Sequence, residues 1–209
     1  MKTKVSDEKW EAAQRIELDI WMKELTTATN DRSSYYINAF DNYSGIPIRP
    51  YEKTLEMGCG PFTQARAISN FRQLRDVTLV DPLLERYIHH PNCSYRDVPP
   101  DGIVHELITA KGEDFCRNDT FDLGIMINVL PHCQDAGRVI LNLLSSVKPG
   151  GVVVIGEPTH HGTTVGSGAH PVIVTMPWLT EKLSKVYPIF QTDIDRGHYV
   201  DHILVGLMP

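Results

Sequence analysis

The spacing of apolar and polar positions divides the chain in two. Residues 6–25 carry Trp10, Ala13, Ile16 or Glu17, Ile20, Trp21 and Leu25 near helical spacing, with Ser6 or Asp7 placed to cap the start, and predict a helix. A shorter segment, 31–41, sets Tyr35, Tyr36, Ile37 and Phe40 on a second helix, and Gly45, Pro47 and Pro50 mark residues 42–50 as a loop. From residue 52 onward strand and helix patterns alternate. Strands are expected at 53–57, 76–80, 105–109, 121–127, 151–156, 189–194 and 199–207, and helices at 62–73, 82–88, 135–147 and 176–186. The fourth and fifth strands are almost continuously apolar, as in strands buried on both faces of a parallel sheet. Only a turn near 195–197 separates the last two, which predicts an antiparallel hairpin at one edge. The proline-rich stretch 89–104 reads as a loop.

A chain of 209 residues suits one domain with one sizeable core, or a domain with a short cap. The net charge of −6 and the lack of a long basic block disfavour large nucleic acids as partners. Cys59, Cys93, Cys116 and Cys133 form no CxxC pair, and the first nine residues lack the apolar core of a signal peptide. The thiols therefore read as free, in a reducing cytoplasm. No apolar run is long enough to span a bilayer, so no membrane association is expected.

The chemistry concentrates at two strand ends. Thr-Leu-Glu-Met-Gly-Cys-Gly-Pro at 54–61 reads as a strand running into a glycine turn, and Val-Asp-Pro at 80–82 as the next strand ending in an acid. Gly58 and Gly60 let backbone approach a ligand closely, and an acid in the second position can hold both hydroxyls of a ribose. An adenosine-containing cofactor follows. A dinucleotide site wants a third glycine where Thr63 stands, and the chain has no second domain for a hydride partner.

Over residues 50–209 the chain resembles the class I S-adenosylmethionine-dependent methyltransferases, whose parts recur here in order. Leu-Glu-Met-Gly-Cys-Gly-Pro resembles motif I, and Leu-Val-Asp-Pro the acidic end of strand two. Gly-Glu-Asp-Phe at 112–115 resembles the adenine loop, Phe-Asp-Leu-Gly-Ile-Met-Ile-Asn-Val-Leu-Pro-His motif IV, and Val-Lys-Pro-Gly-Gly-Val-Val-Val-Ile-Gly-Glu-Pro the turn into strand five. The resemblance implies an α/β, three-layer α-β-α Rossmann-like fold, with a mostly parallel seven-stranded sheet and an antiparallel edge strand. It divides the chain into an N-terminal helical lid, 1–50, and a cofactor-binding core, 51–209.

It implies S-adenosylmethionine as cofactor, held by Glu56 near the methionine ammonium, by Met57, Gly58, Cys59 and Gly60 along the methionine and ribose, and by Asp81 on the ribose hydroxyls. Pro82 and Leu83 would pack on the adenine face, Asp114 and the Phe115 amide would meet the adenine edge, and Glu113 and Asn128 complete the set. The third motif glycine is replaced by Phe62, which narrows the expected cavity.

Methyl transfer from a sulfonium is an in-line displacement governed by positioning and electrostatics, with a base needed only where the acceptor loses a proton. His132, Glu157 and His160 are the candidates for catalysis, with a packing role for His132 and a strand-end ion pair for Glu157 as the plainer alternatives. Five of the nine histidines follow residue 159 (His160, His161, His170, His198 and His202). Tyr35, Tyr36, His161 and His198 are candidates for the acceptor pocket, with His198 and His202 on one face of a strand by parity. Phe40 and Tyr43 extend the aromatic lid.

No metal is expected, because Asn128-Val-Leu-Pro stands where metal-dependent members place acidic ligands. The same run lacks the prolines and aromatic of enzymes that methylate adenine or protein glutamine amino groups, and Cys133 stands one residue late for the cytosine-5 class. The expected activity is methyl transfer to an O, N or S atom of a small metabolite or natural product, by a cytoplasmic monomer or homodimer. A cofactor-binding protein that does not methylate, as an assembly partner or a cyclisation or decarboxylation enzyme, is the alternative.

Overall fold

Alternating side chains of the central strands fill two separate cores, and this explains why those strands read as unbroken apolar runs. In the computed structural model, which describes residues 3–27, 33–90, 92–95, 104–160 and 168–209, seven strands form one sheet. They are β1 (Tyr51–Met57), β2 (Leu74–Val80), β3 (Val104–Ile108), β4 (Phe121–Ile127), β5 (Val147–His160), β6 (Tyr187–Asp195) and β7 (Tyr199–Leu207). Leu123 and Ile125 of β4 and Val152 and Val154 of β5 face one core, while Met126, Val153 and Ile155 face the other.

The strand order is β3-β2-β1-β4-β5-β7-β6. The first five strands run parallel, and β7 runs against both of its neighbours, so the expected edge hairpin is present and its reversed strand lies one place in from the edge. The order turns back between β1 and β4. In open α/β sheets such a reversal opens a crevice beyond the carboxyl ends of the strands.

Helices α1 (Asp7–Thr27), α2 (Ser33–Ala39), α3 (Gln64–Ser69), α4 (Leu84–Tyr87), α5 (Ala136–Ser146) and α6 (Met176–Lys182) flank the sheet. Several are shorter than their apolar pattern suggests. Thr63 caps α3, its hydroxyl accepting from the Ala65 amide, so the turn before it stays outside the helix. Asp135 caps α5 in the same way through the Arg138 amide.

Two expected lid aromatics belong to the core instead. Phe40 and Tyr43 are fully buried, stacked with ring centroids 5.1 Å apart, and the Tyr43 hydroxyl donates to Gln64. Asp41, Asn42 and Tyr43 all take positive φ, which turns the chain sharply enough to tuck both rings beneath the sheet. The segment expected as a loop after α4 returns to the glycine turn: the Tyr95 hydroxyl donates to Gly60, and the Ser94 amide to Pro61.

Candidate functional site

β1 and β4 end side by side at the sheet's reversal, and the turns that follow them touch. Gly58 has φ +72°, and a Cβ there would fall 2.5 Å from a methyl of Val129, so only glycine lets the two turns close. Gly60 has φ +54°, and a Cβ there would meet nothing within 4 Å. Its free face opens on a cavity of about 920 Å³, mouth included.

Acids at strand ends hold the turns by their amides. Glu56 is buried; its carboxylate accepts from the Thr63 hydroxyl and from the amides of Gln64 (2.8 Å) and Ala65 (2.9 Å), pinning the start of α3. Asp81, at the end of β2, accepts from Gly60 (3.0 Å) with one oxygen and Leu83 (2.8 Å) with the other. Burial pushes the Glu56 carboxyl up to about 7 and that of Asp81 up to about 6, against the pull of these hydrogen bonds. Glu113 accepts from the amides of Gln134 (2.7 Å) and Asp135 (2.8 Å) and fixes the entry to α5.

Glu56, Met57, Gly58, Cys59, Gly60, Asp81, Pro82, Leu83, Glu113 and Asn128 all line the cavity. Asp114 and Phe115 do not. Asp114 is exposed and Phe115 is buried among the residues under α5, so the wall there is made by Lys111, Gly112 and Glu113. The cavity's roof is α1: Trp10, Gln14, Glu17 and Trp21 share one helical face and complete the lining. The sequence places this helix in the expected lid but does not single out these four side chains; their signal is the pair of polar residues, Gln14 and Glu17, set between the aromatics.

His132 follows β4 on a short 3-10 turn, Leu130–His132, and lines the same cavity. Its Nδ1 lies 3.2 Å from Glu17 and 3.2 Å from the Ala169 carbonyl. Its Nε2 is buried and has no hydrogen-bond partner among the described residues. Cys133, next to it, is buried with its thiol donating to the Val129 carbonyl, and burial pushes the thiol well up.

A second cavity, of about 1030 Å³ with its mouth, adjoins the first through shared walls at Tyr36 and Asn128. Tyr35, Pro158, His160, His170, Arg196, Tyr199 and Asp201 complete it. The Tyr35 hydroxyl donates to buried Asp201, and Arg196 lies over the Tyr35 ring at 4.5 Å. Burial, and then Asp201, push the Tyr35 hydroxyl upward. His160 Nδ1 is buried without a partner, and the His170 ring stands edge-on between His132 (4.4 Å) and His160 (6.4 Å).

Two candidates stand elsewhere. Glu157 lines neither cavity: fully buried on β5, it accepts from the amides of Val129 (3.0 Å) and Leu130 (3.0 Å), and burial pushes it up to about 8. His198 does not share a strand face with His202, because β7 begins at Tyr199; His198 is exposed on the turn, while His202 is buried against Asp193 at 2.7 Å. His161 lies outside the described residues. Among the described residues no group of three or more His, Cys, Asp or Glu is arranged to hold a metal.

Residues 28–186 match the family model described as a methyltransferase domain. No curated protein matches the sequence. Among solved structures the chain is similar to the 1,6-didemethyltoxoflavin-N1-methyltransferase of Burkholderia thailandensis, solved with 1,6-didemethyltoxoflavin and S-adenosylhomocysteine bound, at 17% identity and TM-score 0.63 over 98% of this chain and 92% of that one. It is also similar to the N-methyltransferase NodS of Bradyrhizobium japonicum, at 17% identity and TM-score 0.61 over 86% of this chain and 96% of that one. The [4+2]-cyclase SpnF shares the fold at 14% identity and TM-score 0.60, over 76% of this chain and 74% of that one. The chain belongs to the class I S-adenosylmethionine-dependent methyltransferases, and S-adenosylmethionine is the cofactor that family uses.

Proposed function

We propose that the protein methylates an O, N or S atom of a small metabolite or natural product, with S-adenosylmethionine in the first cavity and the acceptor in the second. The observation that carries this reading is the shared wall: Tyr36 and Asn128 belong to both cavities.

The residues present fit the cofactor. Gly60 leaves backbone open to it, each oxygen of Asp81 keeps a lone pair beyond the amide it already holds, and Pro82 and Leu83 offer an apolar face. Bound there, it would supply an electrophilic methyl group. The chain's own part is to orient and to dry the site: α1 covers the first cavity, and the Tyr35–Asp201 pair braces the second. His132 lines the first cavity and His160 the second, and among the described residues one buried ring nitrogen of each has no hydrogen-bond partner.

Residues 1–50 read as the lid and 51–209 as the core, acting in the cytoplasm as a monomer or homodimer without nucleic acid or membrane. No described helix is long and apolar enough to cross a membrane. The solved Burkholderia relative binds a heterocycle, which supports starting the acceptor search with hydroxylated and N–H heterocycles.

Calorimetric titration with S-adenosylmethionine, S-adenosylhomocysteine and NAD tests the cofactor, and S-adenosylhomocysteine release during an acceptor screen tests the transfer. Binding of NAD alone would sink the assignment. The second reading, a cyclase or decarboxylase on this fold, is favoured by the polar second cavity and by the likeness to SpnF. It predicts product without S-adenosylhomocysteine release.

A further inference from the structure

We propose that Glu17 is a positioning residue for His132, that the pair makes His132 Nε2 the proton acceptor of the reaction, and that the substrate is therefore protic, with an O–H or N–H at the atom to be methylated. The inference rests on the methyl-transfer reading above and narrows it.

The argument begins with hydrogen-bond capacity. His132 Nδ1 faces two groups, the Glu17 carboxylate and the Ala169 carbonyl, each at 3.2 Å. Neither can donate, so Nδ1 carries the hydrogen. In the neutral ring the lone pair then sits on Nε2, the nitrogen that is buried and has no partner. A buried acceptor without a donor is costly unless a ligand or a proton completes it.

The surroundings hold this arrangement. The Glu17 and His132 side chains are only 15% and 14% exposed. Gln14, one turn earlier on α1, donates to the His132 carbonyl at 3.1 Å, and the Trp21 indole N–H, one turn later, donates to Glu17. Burial by itself would raise the Glu17 carboxyl, but the hydrogen bond and charge of His132, then Trp21 and His170, outweigh it and hold the group below its usual range. Glu17 stays ionised. The titratable groups facing the pair include His170 from the segment before α6, Asp81 from the end of β2, and Tyr87 from α4. A carboxylate behind an imidazole fixes its tautomer and steadies the imidazolium formed when the far nitrogen takes a proton.

The step balances as follows. The acceptor's O–H or N–H bond breaks and its electron pair forms the bond to the methyl carbon. The pair of the cleaved methyl–sulfur bond leaves with the sulfur, and the proton ends on His132 Nε2. A thioether acceptor has no proton to give and would leave this base unused.

The test is a long-range proton–nitrogen spectrum of the imidazoles in the full chain, saturated with S-adenosylhomocysteine, with His132 assigned by its loss in His132→Gln. At pH 8 the ring is expected as the Nδ1–H tautomer. In Glu17→Gln kcat on a protic acceptor is expected to fall about tenfold or more with KM little changed, and Glu17→Asp to recover most of that, because only Gln removes the charge. An Nε2–H tautomer in the wild type, or an unchanged kcat in Glu17→Gln, overturns the proposal. So does turnover of dimethyl sulfide alongside failure with every phenol and N–H heterocycle tried. The wild-type tautomer decides even where a variant fails to fold. Failure to bind S-adenosylhomocysteine is a separate result that removes the cofactor reading instead.

Discussion

The two sides of the double cavity treat their polar groups in opposite ways. On one side Glu56, Asp81 and Glu113 each spend their carboxylates on backbone amides of neighbouring turns, and Glu157, buried on β5 outside both cavities, holds the turn after β4 in the same way. On the side of β4 and β5, His132 and His160 keep a ring nitrogen bare. The first side is a frame whose acids set turn geometry and offer their remaining lone pairs. On the proposed reading the second is the side open to proton chemistry, while the first sets shape.

The largest break in this comparison comes from His132→Gln. Loss of the bare nitrogen is expected to lower kcat about a hundredfold or more on a protic acceptor, read by S-adenosylhomocysteine release; full turnover would return His132 to the frame. Next is Asp81→Ala, expected to weaken S-adenosylhomocysteine binding about tenfold or more, since a charge-assisted hydrogen bond contributes about 1.5–3 kcal/mol. Unchanged affinity in calorimetry would mean that Asp81 only shapes its turn.

Gly58→Ala should cost about 1–3 kcal/mol in a denaturant melt, from positive φ and a Cβ 2.5 Å from Val129; a neutral result would show that the frame yields more than its packing suggests. A further effect is on pH dependence. Glu157 titrates near 8 in the folded chain against an ordinary 4.5, so the folded state holds the extra proton between those values. Its contribution is therefore full below the ordinary value and is lost as pH rises through that window. Glu157→Gln should make the fall of stability between pH 5 and pH 8 shallower, by urea melts at each pH.

The frame was legible in the sequence because each of its parts lies within one strand and the turn after it. Glu56, Gly58, Gly60 and Asp81 are placed by strand ends alone, and β4 matches its expected bounds of 121–127. Legibility ended where position depends on distant chain. Glu17 meets His132 across more than a hundred residues, and nothing in local spacing names that partner. His198 was assigned by strand parity, which fails because the turn at Gly197 keeps it off β7. Asp114 and Phe115 lie just past the wall that Lys111, Gly112 and Glu113 make, an offset within the reach of one short 3-10 turn. Glu157 looked available because it follows a strand core, yet β5 continues to His160 and keeps it inside.

The roof has a consequence for how such a protein can be altered. α2 leads into Phe40 and Tyr43, which are wedged fully into the sheet's core, and exchanging them would disturb the whole molecule. α1 turns one face, Trp10, Gln14, Glu17 and Trp21, to the first cavity. Because the proposed reading seats the cofactor in the cavity that α1 roofs, exchanging this helix of 21 residues would change the grip on the cofactor first, while Tyr35, His160, Arg196 and Tyr199 would keep the second cavity's walls as they are.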